Sequence, residues 1–586
     1  MTVDDKIRKI QEMMKKDHLD GWIVYGSDPH NSEYVCPRWR TRAFLTGFTG
    51  SAGTVLVTPD GADLWVDSRY HIQAEAEIKG TCITLFKADK PGVPTFWEYL
   101  CSQKTQLHRI GTSADCLMKA ELDRMTAEGF EVVPTADYLD AIWPDRPSVP
   151  DFPVRQMPDR ICGFSAKEKL DQVRSKFGDI DYMMISSLDD IAWVLNLRGN
   201  DIAYNPVFLS YLLIGRSDTV LFADRKRFSD EIYDSISNVV RVLPYDQTGL
   251  FVGTIEQGKK VALDFGKTNM LIYSSFPAKT QFVNQMDVTT RMKACKNPVE
   301  LDGMREAHIL DGAALVNFLA KVKKNPEGWT EMKLTDTLQA ERDKMPGELG
   351  PSFGPIAGYA AHGAMCHYSA TEKSSSAVKR GLVVLDTGGH YEMGMTDVTR
   401  TLLFGMPTAD EKRDYTLVLK GHLALFRTHF PEGTCGIQLD ALASQFLWNN
   451  GLLFSHGTGH GVGFCLCVHE GPASISHRVG SASTEYPLQI GMVISDEPGV
   501  YLEGRHGVRI ENLVAVQKAE TTEFGNFFKF EFLTMCPYER DLIDKSMLTD
   551  EEIALVDSYH KEVLDKLSSK VAPEALAYLK EATKPL

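Results

Sequence analysis

The sequence predicts an α/β (α+β) protein of 586 residues organised in three domains. Two related α/β domains, residues 1–158 and 159–293, precede a third domain, residues 294–586, in which an antiparallel sheet is covered on one face by helices. Three observations support this prediction: a proline-rich connector, a strand pattern that occurs twice, and a strong helix-start signal at the head of the third domain.

The connector and the repeated pattern define the first two domains. Residues 143–153 contain four prolines in Trp-Pro-Asp-Arg-Pro-Ser-Val-Pro-Asp-Phe-Pro, a composition typical of a linker. Before it, Asp20-Gly-Trp-Ile-Val is followed by apolar strand-like runs that end at Asp67; after it, a similar succession runs from Asp181 to Asp224. A duplicated α/β unit explains this spacing, and a generic recurrence of strands is the alternative.

The third domain begins and ends with helix signals. Asn297 as a cap, Pro298 at the first helical position and Glu300 behind it predict a helix, which the period of the following apolar residues supports. At the other end, Thr549 and Glu552 form a predicted capping box, and Pro573 is predicted to start the last helix. We interpret this tail as structural or as part of a subunit contact.

Composition excludes several classes of protein. The chain has 63 Lys and Arg against 79 Asp and Glu, a net charge of -16, which argues against non-specific nucleic-acid binding; the isolated basic cluster at residues 38–42 does not change this. The eleven cysteines show no paired metal-type spacing and predict reduced thiols in a cytoplasmic protein. No segment predicts a signal peptide or a membrane span.

Two aspartates form the first candidate pair of ligands. Asp386 and Asp397 lie in Leu-Asp-Thr-Gly-Gly-His-Tyr-Glu-Met-Gly-Met-Thr-Asp, which predicts a hairpin with a Gly-Gly turn and the two carboxylates on neighbouring strands. Facing carboxylates repel unless a cation lies between them. An ordinary turn aspartate followed by a strand-end aspartate is the alternative interpretation.

A histidine-rich loop and a second carboxylate pair follow. His456, His460 and His469 lie in and beside a run with four glycines, which favours a loop pressed around a site. Glu497 and Glu511 repeat the paired arrangement, and Glu511 follows closely on Arg509, so a structural Arg/Glu pair is the alternative. Four carboxylates and one imidazole suit two divalent cations that share a water, which predicts a hydrolase.

These motifs resemble one enzyme family. Thr-Asp-Val-Thr-Arg-Thr, His-Gly-Thr-Gly-His-Gly-Val-Gly, Asp-Glu-Pro-Gly and Val-Arg-Ile-Glu-Asn are similar to the long, three-domain form of aminopeptidase P, the Xaa-Pro aminopeptidases of the pita-bread-fold metallopeptidase family. Phe-Leu-Thr-Gly-Phe-Thr-Gly-Ser-Ala-Gly-Thr and Leu-Asn-Leu-Arg-Gly-Asn-Asp-Ile-Ala-Tyr-Asn-Pro resemble the two creatinase-like N-terminal domains of that form. One departure is visible after His367, where Ser369-Ala370 stands in place of a proline-containing turn.

The resemblance implies a site and a reaction. Its five metal ligands fall on Asp386, Asp397, His460, Glu497 and Glu511. It implies two divalent ions, with Mn²⁺ expected and Zn²⁺ or Co²⁺ possible. Glu497 would be the general base, with catalytic or substrate-binding roles for His367, His456, His469, Tyr501 and Arg509. The enzyme would release the first residue from peptides with proline second, as a cytoplasmic homodimer that binds neither nucleic acid nor membranes. A prolidase restricted to dipeptides is the alternative, followed by a non-catalytic binding protein on the same fold.

Overall fold

A computed structural model describes residues 1–586 and confirms the predicted fold class. The first 157 residues contain α1 (Val3–Lys16), β1 (Gly21–Val24), α2 (Thr41–Thr46), β2 (Thr54–Thr58), β3 (Gly61–Val66), α3 (His71–Glu77), β4 (Ile83–Lys87), α4 (Phe96–Ser102), β5 (Arg109–Ser113), α5 (Lys119–Ala127), β6 (Glu131–Thr135), α6 (Tyr138–Ile142) and β7 (Arg155–Gln156). Residues 158–287 contain α7 (Asp159–Cys162), α8 (Ala166–Arg174), β8 (Tyr182–Ile185), α9 (Leu188–Val194), β9 (Leu197–Arg198), β10 (Tyr211–Gly215), β11 (Thr219–Phe222), α10 (Asp230–Ile236), β12 (Arg241–Leu243), α11 (Thr248–Val252), β13 (Lys260–Leu263), α12 (Met270–Tyr273) and β14 (Gln281–Asn284).

The remaining residues alternate helices with strands. They contain α13 (Val288–Ala294), α14 (Pro298–Lys324), α15 (Glu331–Arg342), β15 (Glu348–Pro351), β16 (Ile356–Tyr359), β17 (Gly381–Thr387), β18 (Gly389–Tyr391), β19 (Gly394–Met395), β20 (Val398–Phe404), α16 (Ala409–Phe426), β21 (Phe430–Pro431), α17 (Gly436–Trp448), β22 (Gly459–Gly461), β23 (Glu470–Ile475), β24 (Val493–Asp496), β25 (Gly499–Leu502), β26 (His506–Arg509), β27 (Asn512–Thr522), β28 (Gly525–Phe532), α18 (Asp550–Leu567) and α19 (Leu576–Ala582). No helix is both long and apolar enough to cross a membrane.

The chain forms two compact units. The first comprises residues 1–157 and 164–289, and the second comprises residues 158–163 and 290–586. The short segment 158–163 thus packs with the later residues because α7 lies against the start of α14, where the Asn297 amide donates to the carbonyl of Cys162. The boundaries proposed from sequence, after residues 158 and 293, stay a prediction.

The first unit contains the predicted duplication. Its two six-stranded sheets have the orders β4-β3-β2-β1-β5-β6 and β12-β11-β10-β8-β13-β14, and equivalent neighbours are parallel or antiparallel in the same places. Aspartates at equivalent positions also make equivalent hydrogen bonds. The Asp20 carboxylate accepts the Arg109 backbone N–H at 2.7 Å, and the Asp181 carboxylate accepts the Lys260 backbone N–H at 2.9 Å. The common sheet topology and the equivalent hydrogen bonds confirm that the two domains are related.

The second unit is built from two similar halves. In one half α14 and α15 pack apolar side chains against β16, β17 and β20; in the other, α16 and α17 pack against β24, β27 and β28. In both, the central pairing is antiparallel, between β17 and β20 and between β24 and β27. This arrangement places one helix-covered antiparallel sheet in each half, as the sequence predicted for the third domain.

The helix signals at both ends of this unit are confirmed, with one correction. The side chain of Asn297 accepts the N–H groups of Val299 and Glu300, and Glu300 completes a capping box. Thr549 and Glu552 form the predicted box on α18. The last helix, however, begins at Leu576 rather than at Pro573, because residues 573–575 form a turn closed by the Ala575 N–H and the carbonyl of Ala572.

The predicted hairpin is present, but the prediction that Gly388 and Gly389 form its turn was wrong. Gly388 and Gly389 continue in extended conformation into β18, and the chain reverses only at Glu392 and Met393. A Cβ atom on Gly388 would lie 2.0 Å from the carbonyl oxygen of Thr396. Glycine is therefore required at this position by the close approach of two backbones and not by a turn.

Candidate metal centre

Paired strands bring the four predicted carboxylates to one place. Asp386 on β17 faces Thr399 on β20, and Asp397 directly precedes β20. In the other half, Glu497 directly follows β24 and Glu511 directly precedes β27, with Asp496 paired to Asn512. Each half therefore contributes two carboxylates from neighbouring antiparallel strands.

Glycines allow the histidine-bearing strand to enter this site. A Cβ atom on Gly459 would lie 1.8 Å from the Ser495 carbonyl oxygen, and one on Gly461 would lie 2.1 Å from that of Glu470. Any larger residue would push β22 away from its neighbours β23 and β24. His460, between these two glycines, is thereby held beside Glu497.

The acceptor nitrogen of the His460 imidazole faces two carboxylates. Its Nδ1–H donates to the carbonyl of Gly461 at 2.9 Å, which leaves the lone pair on Nε2. Nε2 lies 3.6 Å from Asp397 Oδ2 and 3.5 Å from Glu497 Oε1. Ligating atoms of Asp397, His460 and Glu511 all lie within 4.8 Å of one another. Acceptors that converge in this way fit around a cation.

The electrostatics of the carboxylates support the same conclusion. Burial, together with the neighbouring charge of Asp386, raises the pKa of Asp397 well above its ordinary value. Burial and the charge of Asp397 likewise raise the pKa of Glu511. Burial raises the pKa of Glu497 to about 7, although Arg509 opposes the shift. A cation between these groups would offset their repulsion.

Asp386 supplies one further observation that fits a metal. Its Oδ2 accepts from the Arg509 guanidinium at 2.5 Å, whereas its Oδ1 is buried and has no hydrogen-bond donor. A buried carboxylate oxygen without a donor is costly unless a cation satisfies it. The donor set of carboxylate oxygens with one imidazole suits Mn²⁺, and also Zn²⁺ or Co²⁺.

Arg509 belongs to a chain of hydrogen bonds along one wall of the site. Its guanidinium donates to Tyr501 Oη at 2.7 Å as well as to Asp386, and Tyr501 lies 2.8 Å from His456 Nε2. The His456 Nδ1–H donates to the carbonyl of Gly457, so Nε2 is the acceptor for the tyrosine hydroxyl. The alternative of a structural pair between Arg509 and Glu511 is thus wrong, because Arg509 binds Asp386.

The remaining two histidines border the site. The ring of His469 packs edge to face on that of His460, with 4.3 Å between the ring centroids. His367 lies half-buried in a turn just after a short 3₁₀ segment, Ala360–Ala364. Its neighbour Cys366 points its carbonyl oxygen at the Arg509 guanidinium, 3.5 Å away. The turn that carries His367 therefore lies beside the wall formed by Arg509.

Two polar residues of the site were missed in the sequence. Thr399 donates from Oγ1 to Glu511 Oε2 at 2.8 Å and accepts from the Arg509 Nε–H at 3.1 Å. Ser495 accepts the His460 backbone N–H at 2.9 Å and donates to Glu497 Oε1 at 3.2 Å. The period of two along a strand was the available signal, since Asp397 and Thr399 point to the same face, as do Ser495 and Glu497.

Comparisons with known proteins identify the family of the chain. Family models match residues 302–518 (metallopeptidase family M24), residues 526–586 (C-terminal region of peptidase M24), and residues 6–142 and 145–300 (creatinase/prolidase N-terminal domain, twice). Two separate models with the same N-terminal-domain description match successive stretches, which agrees with the duplication seen in the sheets.

Relatives that match the chain over its whole length are named aminopeptidases. A Dictyostelium discoideum protein named Xaa-Pro aminopeptidase 1 is 34% identical and covers 100% of this chain and 97% of its own length. Aminopeptidase P2 of Arabidopsis thaliana is 37% identical and covers 97% of this chain and 86% of its own. The crystal structure of the Caenorhabditis elegans X-prolyl aminopeptidase, described as a cytosolic enzyme with a di-nuclear active site, matches with a TM-score of 0.93 and 31% identity over 100% of both chains. These findings confirm the resemblance found in the motifs, and the chain belongs to the Xaa-Pro aminopeptidases of metallopeptidase family M24.

Proposed function

We propose that this protein is a dinuclear metallo-aminopeptidase that releases the N-terminal residue from peptides whose second residue is proline. One observation carries the proposal: four carboxylates and the acceptor nitrogen of His460 converge from two halves of one unit. Membership of a metallopeptidase family supports a hydrolytic use of that set.

The five residues proposed to hold two divalent ions are Asp386, Asp397, His460, Glu497 and Glu511. Of these, Asp397 and Glu511 are almost fully buried. We propose Mn²⁺ as the metal because four of the five donors are carboxylates. When bound, such a pair of ions polarises a carbonyl group and makes water nucleophilic near neutral pH.

The protein's own groups would handle the protons and the charge. Glu497 is the proposed general base, since its Oε1 is oriented by the Ser495 hydroxyl and its side chain stays partly exposed. His469, which packs on the His460 ring, would donate to the oxygen of the scissile carbonyl as negative charge develops there.

Recognition of proline is proposed for the wall of His456, Tyr501 and Arg509. An Xaa-Pro bond has no N–H, so an enzyme specific for it must recognise the ring rather than a backbone donor. The hydrogen-bonded chain fixes the orientation of the His456 and Tyr501 rings, which offers a rigid surface for such a ring. His367, on the neighbouring turn, would hold the peptide backbone.

A prolidase is the second candidate because it would use the same ligands. The whole-length relatives with aminopeptidase names favour the aminopeptidase. A non-catalytic binding protein is disfavoured, since every ligand position holds a competent donor.

A cytosolic location and a homodimer are further proposals, the first supported by the description of the Caenorhabditis elegans relative. All eleven cysteines are free.

The test compares a tripeptide with a dipeptide. Chelated protein is assayed on Arg-Pro-Pro and on Ala-Pro, with and without added Mn²⁺, and metal content is measured in parallel. Mn²⁺-dependent release of arginine from the tripeptide is expected. Cleavage of the dipeptide alone would favour the prolidase, and no cleavage with two ions bound would contradict a peptidase specific for proline.

A further inference from the structure

A fully buried glutamate, Glu331, holds both ends of the loop that carries His367. Glu331 is the first residue of α15, and its side chain is 0% exposed. Four hydrogen-bond donors converge on its two carboxylate oxygens, and all four belong to residues 359–376. One buried carboxylate thus contacts the loop at both of its ends.

Oε1 holds the limb of the loop that leaves β16. It accepts the backbone N–H of Tyr359 at 2.8 Å, and it lies 2.8 Å from Nδ1 of His362. Tyr359 is the last residue of β16, whose first residue, Ile356, pairs with Asp386 on β17. The outgoing limb is thus tied at the point where it leaves the sheet that carries a proposed metal ligand.

Oε2 holds the limb that returns. It accepts the backbone N–H of Ser376 at 2.7 Å and the hydroxyl of Tyr368 at 3.0 Å. The backbone N–H of Glu331 donates in turn to the carbonyl of Ser376 at 3.2 Å. Tyr368 directly follows His367, so this oxygen is connected to the histidine through one residue.

The helix itself does not need this carboxylate as a cap. Thr330 is the N-cap of α15, and its side chain accepts the N–H of Lys333 at 3.1 Å. The oxygens of Glu331 are directed at the loop and not at the amides of the first turn. A purely helix-stabilising role therefore leaves its four contacts unexplained.

The returning limb also has contacts of its own, such as the hydrogen bonds between Thr371 and Ser374. No proline occurs between residues 356 and 380, where the family pattern described above has one. Ala360 adopts a left-handed conformation, with φ of 50°, which a non-glycine residue adopts only at a cost. One further anchor is a close backbone contact, in which a Cβ atom on Gly507 would lie 1.8 Å from the carbonyl oxygen of Gly363.

We propose that Glu331 is a positioning residue that fixes the turn of His367 against the Arg509 wall by holding one limb of the loop with each carboxylate oxygen. The proposal rests on the proposed function, because it gives His367 a role in holding the peptide. A carboxylate is required, since only two acceptor oxygens can receive donors from both limbs. An amide of the same size would present NH₂ to one limb and release it.

The main variant is Glu331→Gln, assayed on Arg-Pro-Pro. We expect kcat/KM to fall by ~10- to 100-fold, the scale of a small misplacement of a group that binds the substrate. Metal content should be unchanged. Glu552→Gln is the matched control, because Glu552 is also buried in the first turn of a helix, where it accepts the Thr549 N–H and binds Lys420, away from the loop. This control should keep wild-type kinetics.

A double-mutant cycle with His367→Ala separates positioning from general destabilisation. If Glu331 acts through His367, Glu331→Gln should cause almost no further loss of kcat/KM in the His367→Ala background. An equal loss in both backgrounds, or no loss in the wild-type background, would overturn the proposal. If Glu331→Gln folds poorly, Tyr368→Phe removes a single donor to Oε2 and should give a smaller loss that again disappears beside His367→Ala.

Hydrogen exchange gives a readout that does not depend on the substrate. The amides of Tyr359 and Ser376 should exchange faster in Glu331→Gln, while the amide of Thr549 should not change. Should the wild-type protein with two ions bound cleave no proline peptide, the proposed function fails. The exchange rates then still decide whether Glu331 holds the loop, and unchanged rates at both amides would refute it.

Discussion

At the scale of single residues, two histidines of one motif use the same local geometry for different tasks. His456 and His460 each donate from Nδ1 to the carbonyl of the glycine that follows, at 2.7 Å and 2.9 Å. Each therefore presents Nε2 as an acceptor. One accepts from the Tyr501 hydroxyl, and the other faces Asp397 and Glu497.

Removal of a proposed metal ligand should abolish activity without unfolding the protein. Glu511→Ala deletes a buried carboxylate held by Thr399. We expect turnover of Arg-Pro-Pro to fall by at least about a thousandfold, as for groups that act only together, with retained circular dichroism and a lowered metal content. Glu520→Ala, on the exposed part of β27, is the control of the same type and should be neutral. Near-normal activity of Glu511→Ala with excess Mn²⁺ would contradict the dinuclear site.

Loss of His456 should affect selectivity more than turnover. His456→Ala removes the ring at the end of the chain from Arg509, and we expect the preference for proline over alanine in the second position to fall by ~10-fold, a typical value for one apolar contact. Tyr501→Phe keeps the ring but breaks the hydrogen bonds, so it should act in the same direction and more weakly. Unchanged selectivity in both variants would remove this wall from the proline site.

The left-handed Ala360 predicts a stabilising change. Ala360→Gly should raise the free energy of unfolding by about 1 kcal/mol, because glycine adopts this conformation without the steric cost of a Cβ atom. The neighbouring Ala361→Gly, at a position without positive φ, should instead lower stability by about 0.5–1 kcal/mol. Denaturant unfolding of both variants measures the difference, and destabilisation by Ala360→Gly would show that the loop tolerates its strain for another reason.

At the scale of elements, close backbone contacts decide what the sequence could reveal. The strands were predictable because apolar runs ended at polar residues, and the capping boxes were explicit. Gly388 was misinterpreted because glycine marks both turns and close contacts, and only the distance to Thr396 distinguishes them. Glu331 could not be found at all, since its four partners are distant in sequence and nothing local marks a glutamate at a helix start as buried.

The β25–β26 hairpin offers a prediction about such a contact. Gly507→Ala would place a Cβ atom 1.8 Å from the Gly363 carbonyl oxygen, so the hairpin must move. We expect a loss of stability of about 1–3 kcal/mol and reduced activity, because Tyr501 and Arg509 lie on the same hairpin. Gly504→Ala strains the same hairpin without any neighbour within 4 Å and should lose stability but keep kcat/KM. Equal kinetics in the two variants would show that the contact does not position the wall.

At the scale of the whole molecule, the repeated strand pattern predicted two related α/β domains, and the sheet topologies confirm the duplication. The division of the chain into two compact units was harder to predict from the sequence. Segment 158–163 follows the proline-rich connector but packs with residues 290–586. Such packing depends on contacts between segments far apart in the chain, which local patterns do not encode.

Removal of metal should make stability depend on pH. In the metal-free protein the pKa of Glu497 is raised from 4.5 to about 7. The protonated carboxyl then stabilises the fold fully below its ordinary pKa, and this contribution is lost as pH rises through about 7; Asp397 and Glu511 act in the same direction. The free energy of unfolding of the chelated protein should therefore be lower at about pH 8 than at about pH 5, by on the order of 1–3 kcal/mol. The melting temperature should be lower at pH 8 as well.

Two comparisons check this assignment by calorimetry. Mn²⁺-loaded protein should show a smaller pH dependence, because the ions offset the repulsion of the carboxylates. Chelated Glu497→Gln should also lose part of the slope. A slope that is identical in chelated wild-type and Glu497→Gln protein would mean that other groups dominate.

The division of the ligands between two halves also has a consequence for synthesis of the chain. Asp386 and Asp397 emerge from the ribosome with the first half, but Glu497 and Glu511 follow only after α16, α17 and the histidine strand. A nascent chain with only the first half exposes two aspartates that have no partners for a metal pair. Hydrolytic activity would thus arise only when both halves have been translated and have folded together. Incomplete nascent chains would therefore not hydrolyse peptides.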